Sequence, residues 1–216
     1  MNQKIDVLLA DDHAVVRAGY RLLLAQSAEI GEIREACSGE SACQYYVDHK
    51  PDIVIMDISM PGIGGFTAIR RICLRDPTAR ILVFSIYEEA VYVKKAIESG
   101  AKGYITKRSA PDIMITAAVK IAQGETYIET GLIPTDPTRS LSGQSQLDQI
   151  ESLSTREFDV FLRMARGLTT REIADQLCLG YKTVANYGTS IRAKLGVHTG
   201  AEIAGIAFKL GLLEQK

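Results

Sequence analysis

"IVIMDISMPGIGG", residues 53–65, starts with four apolar residues, sets an aspartate at position 57, and follows it with a proline and three glycines. A short run that is apolar on both faces is the signature of a strand buried inside a parallel sheet, with helices covering both sides. A carboxylate at the end of such a strand has to be paired, used in a cap or put to work, because burying it alone is costly.

Working outward, the same double-sided pattern recurs in "IDVLLA" (5–10), "ILVFS" (81–85) and "GYIT" (103–106), and more weakly in "IREACS" (33–38), which reads as an edge strand. Helix-spaced segments separate them at roughly 13–26, 40–48, 65–75, 88–99 and 110–123. Ser109, Pro111 and Asp112 make a start signal for the last of these. Five β/α units in succession predict a doubly wound, flavodoxin-like α/β domain with a five-stranded parallel sheet over residues 1–125; in the common order 2-1-3-4-5 the first and third strands are neighbours.

Residues 129–150 change character: two prolines, two glycines and many Ser, Thr and Gln without periodicity. A linker is expected over 126–150. A small all-α domain follows over 151–216. Ser154 with Glu157, and Thr169 with Glu172, are spaced as capping boxes, the first ahead of Phe158, Phe161, Leu162 and Ala165 on one apolar face. Gly167 stops that helix, Gly180 forms a turn, and "KTVANYGTSIRAKLG" runs as a third helix to Gly196. Thr199 can cap a fourth, with Ile203, Ile206, Ala207 and Leu210 inward. Two short helices joined by a tight turn containing glycine form a helix-turn-helix.

Composition sets the outer bounds. The 216 residues are 46% apolar and 24% charged, with a net charge of −1, typical of a globular chain with a core and without overall polycationic character. Residues 151–216 nevertheless carry nine Lys and Arg against seven Asp and Glu, a mildly basic balance that permits DNA binding. Cys37, Cys43, Cys73 and Cys178 have no metal or redox spacing and read as reduced core residues, which suits the cytoplasm. The opening "MNQKIDVLLADDH" is not expected to be a signal peptide, and no apolar run approaches the ~18 residues needed to span a bilayer.

Function in an open parallel sheet collects beyond the carboxyl ends of its strands. Asp11 and Asp12 follow the first strand and Asp57 the third, so three carboxylates should share one cleft, an unstable arrangement unless a cation joins them. Oxygen donors of this kind suit Mg²⁺. Ser85 and Lys107, at two further strand ends, complete a site for a phosphoryl group on Asp57. Taken singly, each residue has a plainer reading: Asp11 and Asp12 as helix caps, His13 as a helix-start residue.

"LLADDH", "IVIMDISMPGIGGFTAIRRI", "ILVFSIYEE" and "GAKGYITK" together resemble the receiver domain of two-component response regulators, and "LSTREFDVFLRMARGLTTREIADQLCLGYKTVANYGTSIRAKLGV" resembles the helix-turn-helix of their NarL/FixJ (LuxR-type) branch. The resemblance implies that Asp57 takes a phosphoryl group from a sensor histidine kinase. It implies further that Asp11, Asp12, Asp57 and the backbone carbonyl of Ser59 hold Mg²⁺, and that Ser85, Tyr104 and Lys107 respond to the phosphoryl group. Lys182, Thr183, Asn186, Tyr187, Thr189, Arg192 and Lys194 would then meet promoter DNA in the major groove at an inverted repeat. Phosphorylation would either relieve inhibitory contacts or promote homodimerisation, with RNA polymerase as a candidate further partner and no membrane involved. The chain departs from the pattern at Ala185, Tyr187 and Gly188, the last costing roughly 1 kcal/mol against Ala inside a helix, and at Arg108, where many receivers have Pro. Two rival functions are a phosphorylation-independent regulator with a degenerate receiver and an Asp-nucleophile phosphohydrolase. The latter wants a second Asp where the chain has Ser59, so the protein is expected not to be an enzyme.

Overall fold

The computed structural model describes residues 4–132 and 141–213. These form two units, an α/β unit and an all-helical one. Strands β1 (Ile5–Ala10), β3 (Ile53–Met56), β4 (Ile81–Ser85) and β5 (Gly103–Thr106) fall where the double-sided apolar runs put them. The first edge strand, β2 (Ile30–Ala36), begins and ends earlier than expected. Only its two end residues are buried, so Gly31, Glu32 and Arg34 obscure its pattern.

All strands pair in parallel in the order β2-β1-β3-β4-β5-β6, so the sheet has six strands and not five. The added strand, β6 (Tyr127–Ile128), is two residues long, too short to leave a periodicity. It is held by Tyr127 N–H donating to Lys102 O at 3.1 Å and Glu129 N–H to Tyr104 O at 3.0 Å. The expected linker over 126–150 thus contains a strand and also a helix, α6 (Leu141–Glu151). That helix was hidden because its sequence, LSGQSQLDQIE, has no sustained apolar face, although Ile150 is buried. Residues 133–140 of the expected linker lie outside the described residues.

Side-chain alternation divides the sheet into two packed faces. Val7, Leu9, Ile53, Ile55, Leu82, Phe84 and Ile105 share one cluster with Leu24 of α1 (Ala14–Ala25) and with Met114, Ala117, Ala118 and Ile121 of α5 (Pro111–Ala122). Leu8, Val54, Met56, Val83 and Tyr104 point the other way and are equally buried. The remaining helices are α2 (Gly39–His49), α3 (Gly64–Arg75) and α4 (Ala90–Ser99). Ser109 does not cap α5. The cap position belongs to Ala110 with Pro111 at the first turn, because the Ser109 hydroxyl is bound to Glu129.

In the helical unit, α7 (Thr155–Ala165), α8 (Thr170–Leu177) and α10 (Gly200–Lys209) each begin with a capping box, from Ser154–Glu157, Thr169–Glu172 and Thr199–Glu202. The turn between α8 and α9 (Tyr181–Leu195) uses Cys178 in the left-handed region and Gly180 as the cap position. Phe158, Phe161, Val184, Ile191, Leu195 and Ile203 form the core. Leu210, expected inward, is half-buried, and Leu212 is fully buried.

Candidate functional site

The strand order brings the carboxyl ends of β1, β3, β4 and β5 side by side. Asp11 and Asp57 flank the point where the strand order reverses, the place where open α/β sheets bind ligands. Both are 1% exposed. Between them stands the Lys107 ammonium, 2.6 Å from Asp11 Oδ2 and 2.7 Å from Asp57 Oδ2. Asp57 Oδ1 accepts from Ser59 N–H at 2.9 Å, and Asp11 Oδ1 accepts from His13 N–H at 2.8 Å.

Burial drives the Asp57 carboxyl above the ordinary aspartate range, outweighing the opposing pull of Lys107 and of the Ser59 N–H. For Lys107, burial works against the charge, but Asp57 and Asp11 more than offset it and its pKa is raised.

Carboxylate oxygens of Asp11, Asp12 and Asp57 and a ring nitrogen of His13 all lie within 4.8 Å of one another. The Lys107 ammonium pairs with two of the three carboxylates, Asp11 and Asp57. Asp12 Oδ1 is buried and accepts no hydrogen bond, although His13 Nδ1 is 3.0 Å away. A buried carboxylate oxygen without a hydrogen bond, next to two others, fits a hard divalent cation with oxygen ligands. His13 sits at the start of α1, as expected, with its ring beside Asp11 and Asp12.

The loop after β3 is shaped by close approach. A Cβ on Gly65 would run into the Asp57 carbonyl oxygen and Ile58 Cα, so the start of α3 rests directly on the Asp57 peptide. Gly62 has φ 74°, and a Cβ there would meet the Glu40 carboxylate, which accepts from Ile63 N–H at 2.9 Å. Glu40, in the first turn of α2, thereby ties the loop down. Nothing in the sequence around it marked that role.

Ser85 is fully buried, and its Oγ accepts from Tyr87 N–H at 3.3 Å. The Tyr104 hydroxyl donates to the Tyr87 carbonyl at 2.8 Å. The Tyr87 ring stacks on Tyr92 with centroids 4.1 Å apart. Ser85 and Tyr104 therefore meet through the Tyr87 backbone. Two further residues escaped the sequence reading: Arg17, whose Nη1 donates to Asp11 O at 2.7 Å, and Glu129, bound to Thr106 and Ser109 beside Lys107.

On the helical unit, Lys182, Thr183, Asn186 and Thr189 are exposed along α9, while Tyr187 and Arg192 are half-buried. The Thr189 hydroxyl donates back to Ala185 O at 3.1 Å. The Lys194 ammonium lies 2.7 Å from Glu157 Oε2, which is buried and also accepts from Ser154 N–H, while Glu157 Oε1 accepts from Ser190 Oγ. Burial pushes the Glu157 carboxyl up, but Lys194, Ser190 and Ser154 more than offset it and hold it at about 2. Gly188 is buried against Met164, and an added Cβ would lie 3.7 Å from Met164 Cε, an ordinary packing distance.

The profile of the response regulator receiver domain matches residues 7–120, and that of the bacterial regulatory proteins of the luxR family matches residues 151–207. The chain is 38% identical over 208 residues to the transcriptional activator protein ExaE of Pseudomonas putida, covering 96% of this chain and 97% of that one. It is 34% identical over 208 residues to the response regulator UvrY of Escherichia coli strain K12, covering 96% and 95%. Among solved structures, a LuxR-family two-component response regulator from Aurantimonas sp. SI85-9A1 superposes with a TM-score of 0.58 at 36% identity, over 60% of this chain and 93% of that one. RcsB of Salmonella enterica serovar Typhimurium, bound to promoter rprA in the presence of the phosphomimetic BeF3-, shares the fold with a TM-score of 0.70 at 24% identity, over 94% and 98%. No helix among the described residues is long and apolar enough to cross a membrane.

Proposed function

From its membership of the two-component response regulators that join a receiver domain to a LuxR-type DNA-binding domain, we propose that this chain is switched by a phosphoryl group on Asp57. The observation that carries the reading is the Lys107 ammonium seated between Asp57 and Asp11, beside a buried Asp12 oxygen that accepts no hydrogen bond. In the transfer, a bond forms between an Asp57 carboxylate oxygen and phosphorus while the bond from phosphorus to the histidine nitrogen of a sensor kinase breaks. Lys107 lies where it can pair with the charge brought in.

Asp11, Asp12, Asp57 and the Ser59 carbonyl would hold Mg²⁺, which supplies neutralisation of the phosphoryl oxygens when bound. Ser85 Oγ is a hydroxyl at the end of β4 within the same group of strand ends, and its engagement by the phosphoryl group would release Tyr87 N–H. The Tyr87 carbonyl is bonded to Tyr104, so a local charge change is passed to a packed surface element. Output would be homodimerisation that places two copies of α9 on the half-sites of a promoter inverted repeat, with Lys182, Thr183, Asn186 and Tyr187 towards DNA.

The test is phosphoryl uptake from phosphoramidate with Mg²⁺, followed by mass, and then promoter binding at fixed salt. Wild type is expected to gain one phosphoryl group and bind more tightly, and Asp57→Asn to do neither. Absence of the mass gain in wild type, or its persistence in Asp57→Asn, refutes the reading.

A further inference from the structure

Glu129 sits at the outer edge of the sheet, immediately after β6, yet it holds the turn that carries Lys107. Its backbone N–H donates to the Tyr104 carbonyl at 3.0 Å, as the next rung of the β5–β6 ladder. Its side chain continues where the backbone ladder stops: Oε2 accepts from Thr106 N–H at 2.9 Å and from Ser109 Oγ at 2.5 Å. The Thr106 and Ser109 hydroxyls are themselves 3.0 Å apart, and Ser109 N–H donates to Thr106 O at 3.2 Å. One carboxylate thus grips both ends of the four-residue turn 106–109. Lys107 is the second residue of that turn, and its own N–H is tied to Ser85 O at 2.7 Å.

We propose that Glu129 is a positioning residue for Lys107: by clamping Thr106 and Ser109 it fixes the turn from which the lysine reaches Asp57 and Asp11. The proposal rests on Asp57 being the phosphoryl acceptor. It adds that the segment by which the chain leaves the sheet belongs to the phosphoryl site and is more than a spacer. A charge-bearing group works in transfer only while it is held at its station, and small displacements are costly to rate. A carboxylate that only closed a turn would affect stability without acting through the lysine.

The experiment measures initial rates of phosphoryl uptake from phosphoramidate with Mg²⁺ in the full chain. Glu129→Ala is expected to slow uptake roughly five- to tenfold, the loss that follows when a charge-stabilising group is held less firmly. Glu129→Gln should stay near wild type, because its amide oxygen still accepts from both Thr106 and Ser109. In a Lys107→Ala background, Glu129→Ala should produce no further slowing, as expected of two residues acting in one unit. Ser109→Ala, which removes one of the two partners, gives a smaller slowing of the same kind and decides the matter if Glu129→Ala does not fold. Wild-type rates in Glu129→Ala and Ser109→Ala, or equal slowing with and without Lys107, overturn the clamp alone. A wild type that gains no phosphoryl mass overturns the acceptor reading and the clamp with it.

Discussion

The Tyr104 hydroxyl donates to the Tyr87 carbonyl at 2.8 Å, in a position where the tyrosine is fully buried. Tyr104→Phe removes that donor and leaves the ring in place. It should cost about 1–3 kcal/mol, the range for a buried hydrogen bond losing one partner. Phosphoryl uptake should continue at the wild-type rate, while the gain in promoter binding on phosphorylation shrinks. Urea denaturation and gel-shift titrations of both proteins check the two halves of this outcome.

Asp57→Asn should be more stable than wild type at pH 7 when divalent cations are chelated. The folded-state pKa of Asp57 lies above its ordinary value because of burial. Between the ordinary and the raised value the folded chain holds a proton that the unfolded chain has lost, so wild-type stability falls as pH rises through that window. The asparagine carries no such charge. Its advantage is therefore largest above the raised pKa and fades as pH falls to the ordinary aspartate range, which a set of urea midpoints from pH 4 to 8 would follow.

Gly65→Ala places a methyl group against the Asp57 carbonyl oxygen and Ile58 Cα, both backbone atoms that cannot swing away. Overpacking of this kind costs typically 1–3 kcal/mol. The substitution should lower the denaturation midpoint and slow phosphoryl uptake, since the peptide displaced is that of the proposed acceptor.

Lys194→Met should act on stability before it acts on DNA. Losing a hydrogen bond to a charged group costs about 1–3 kcal/mol, and the exposure of Lys194, 39%, argues for the lower part of that range. Glu157 in the folded chain titrates at about 2 against an ordinary 4.5. Its contribution is thus complete above about pH 4.5 and is lost as pH falls towards 2. Lys194→Met should flatten that acid limb and leave the salt dependence of DNA binding nearly unchanged.

Exposed residues of α9 should behave in the opposite way. Asn186→Ala is expected to weaken promoter binding by about 1–3 kcal/mol if it reads a base edge. Lys182→Ala should weaken binding to all sequences and reduce the salt slope by about 1. Gly188→Ala should stabilise the helical unit by up to about 1 kcal/mol, since the nearest obstacle to its Cβ is the movable tip of Arg192, at 3.3 Å. Binding isotherms at several salt concentrations, with thermal denaturation, separate the three.

Long double-sided apolar runs made β3, β4 and β5 legible to the residue, because burial on both faces leaves little freedom in composition. Asp11, Asp57 and Lys107 were legible for a related reason: each stands one residue beyond such a run, so finding the strand located the side chain. The misses have a different physics. β6 is two residues long and α6 lacks an apolar stripe, so neither has a period to read. Ser109 carries the right chemistry for a cap, but Glu129, 20 residues away, claims it, and the Glu157 partner of Lys194 lies 37 residues away. A side chain's partner at such separations is fixed by topology, which local spacing does not encode.

Among α7 to α10, α9 alone begins without a side-chain cap, on Gly180. Serine or aspartate there would be the obvious stabilising replacement for a helix start. It would also occupy the first amides of this helix and, with aspartate, set a negative charge where a nucleic-acid backbone would approach. Glycine at a cap position costs only a few tenths of a kcal/mol, so on the proposed mode of DNA binding a substitution that fills this cap should gain little thermal tolerance and lose grip on DNA.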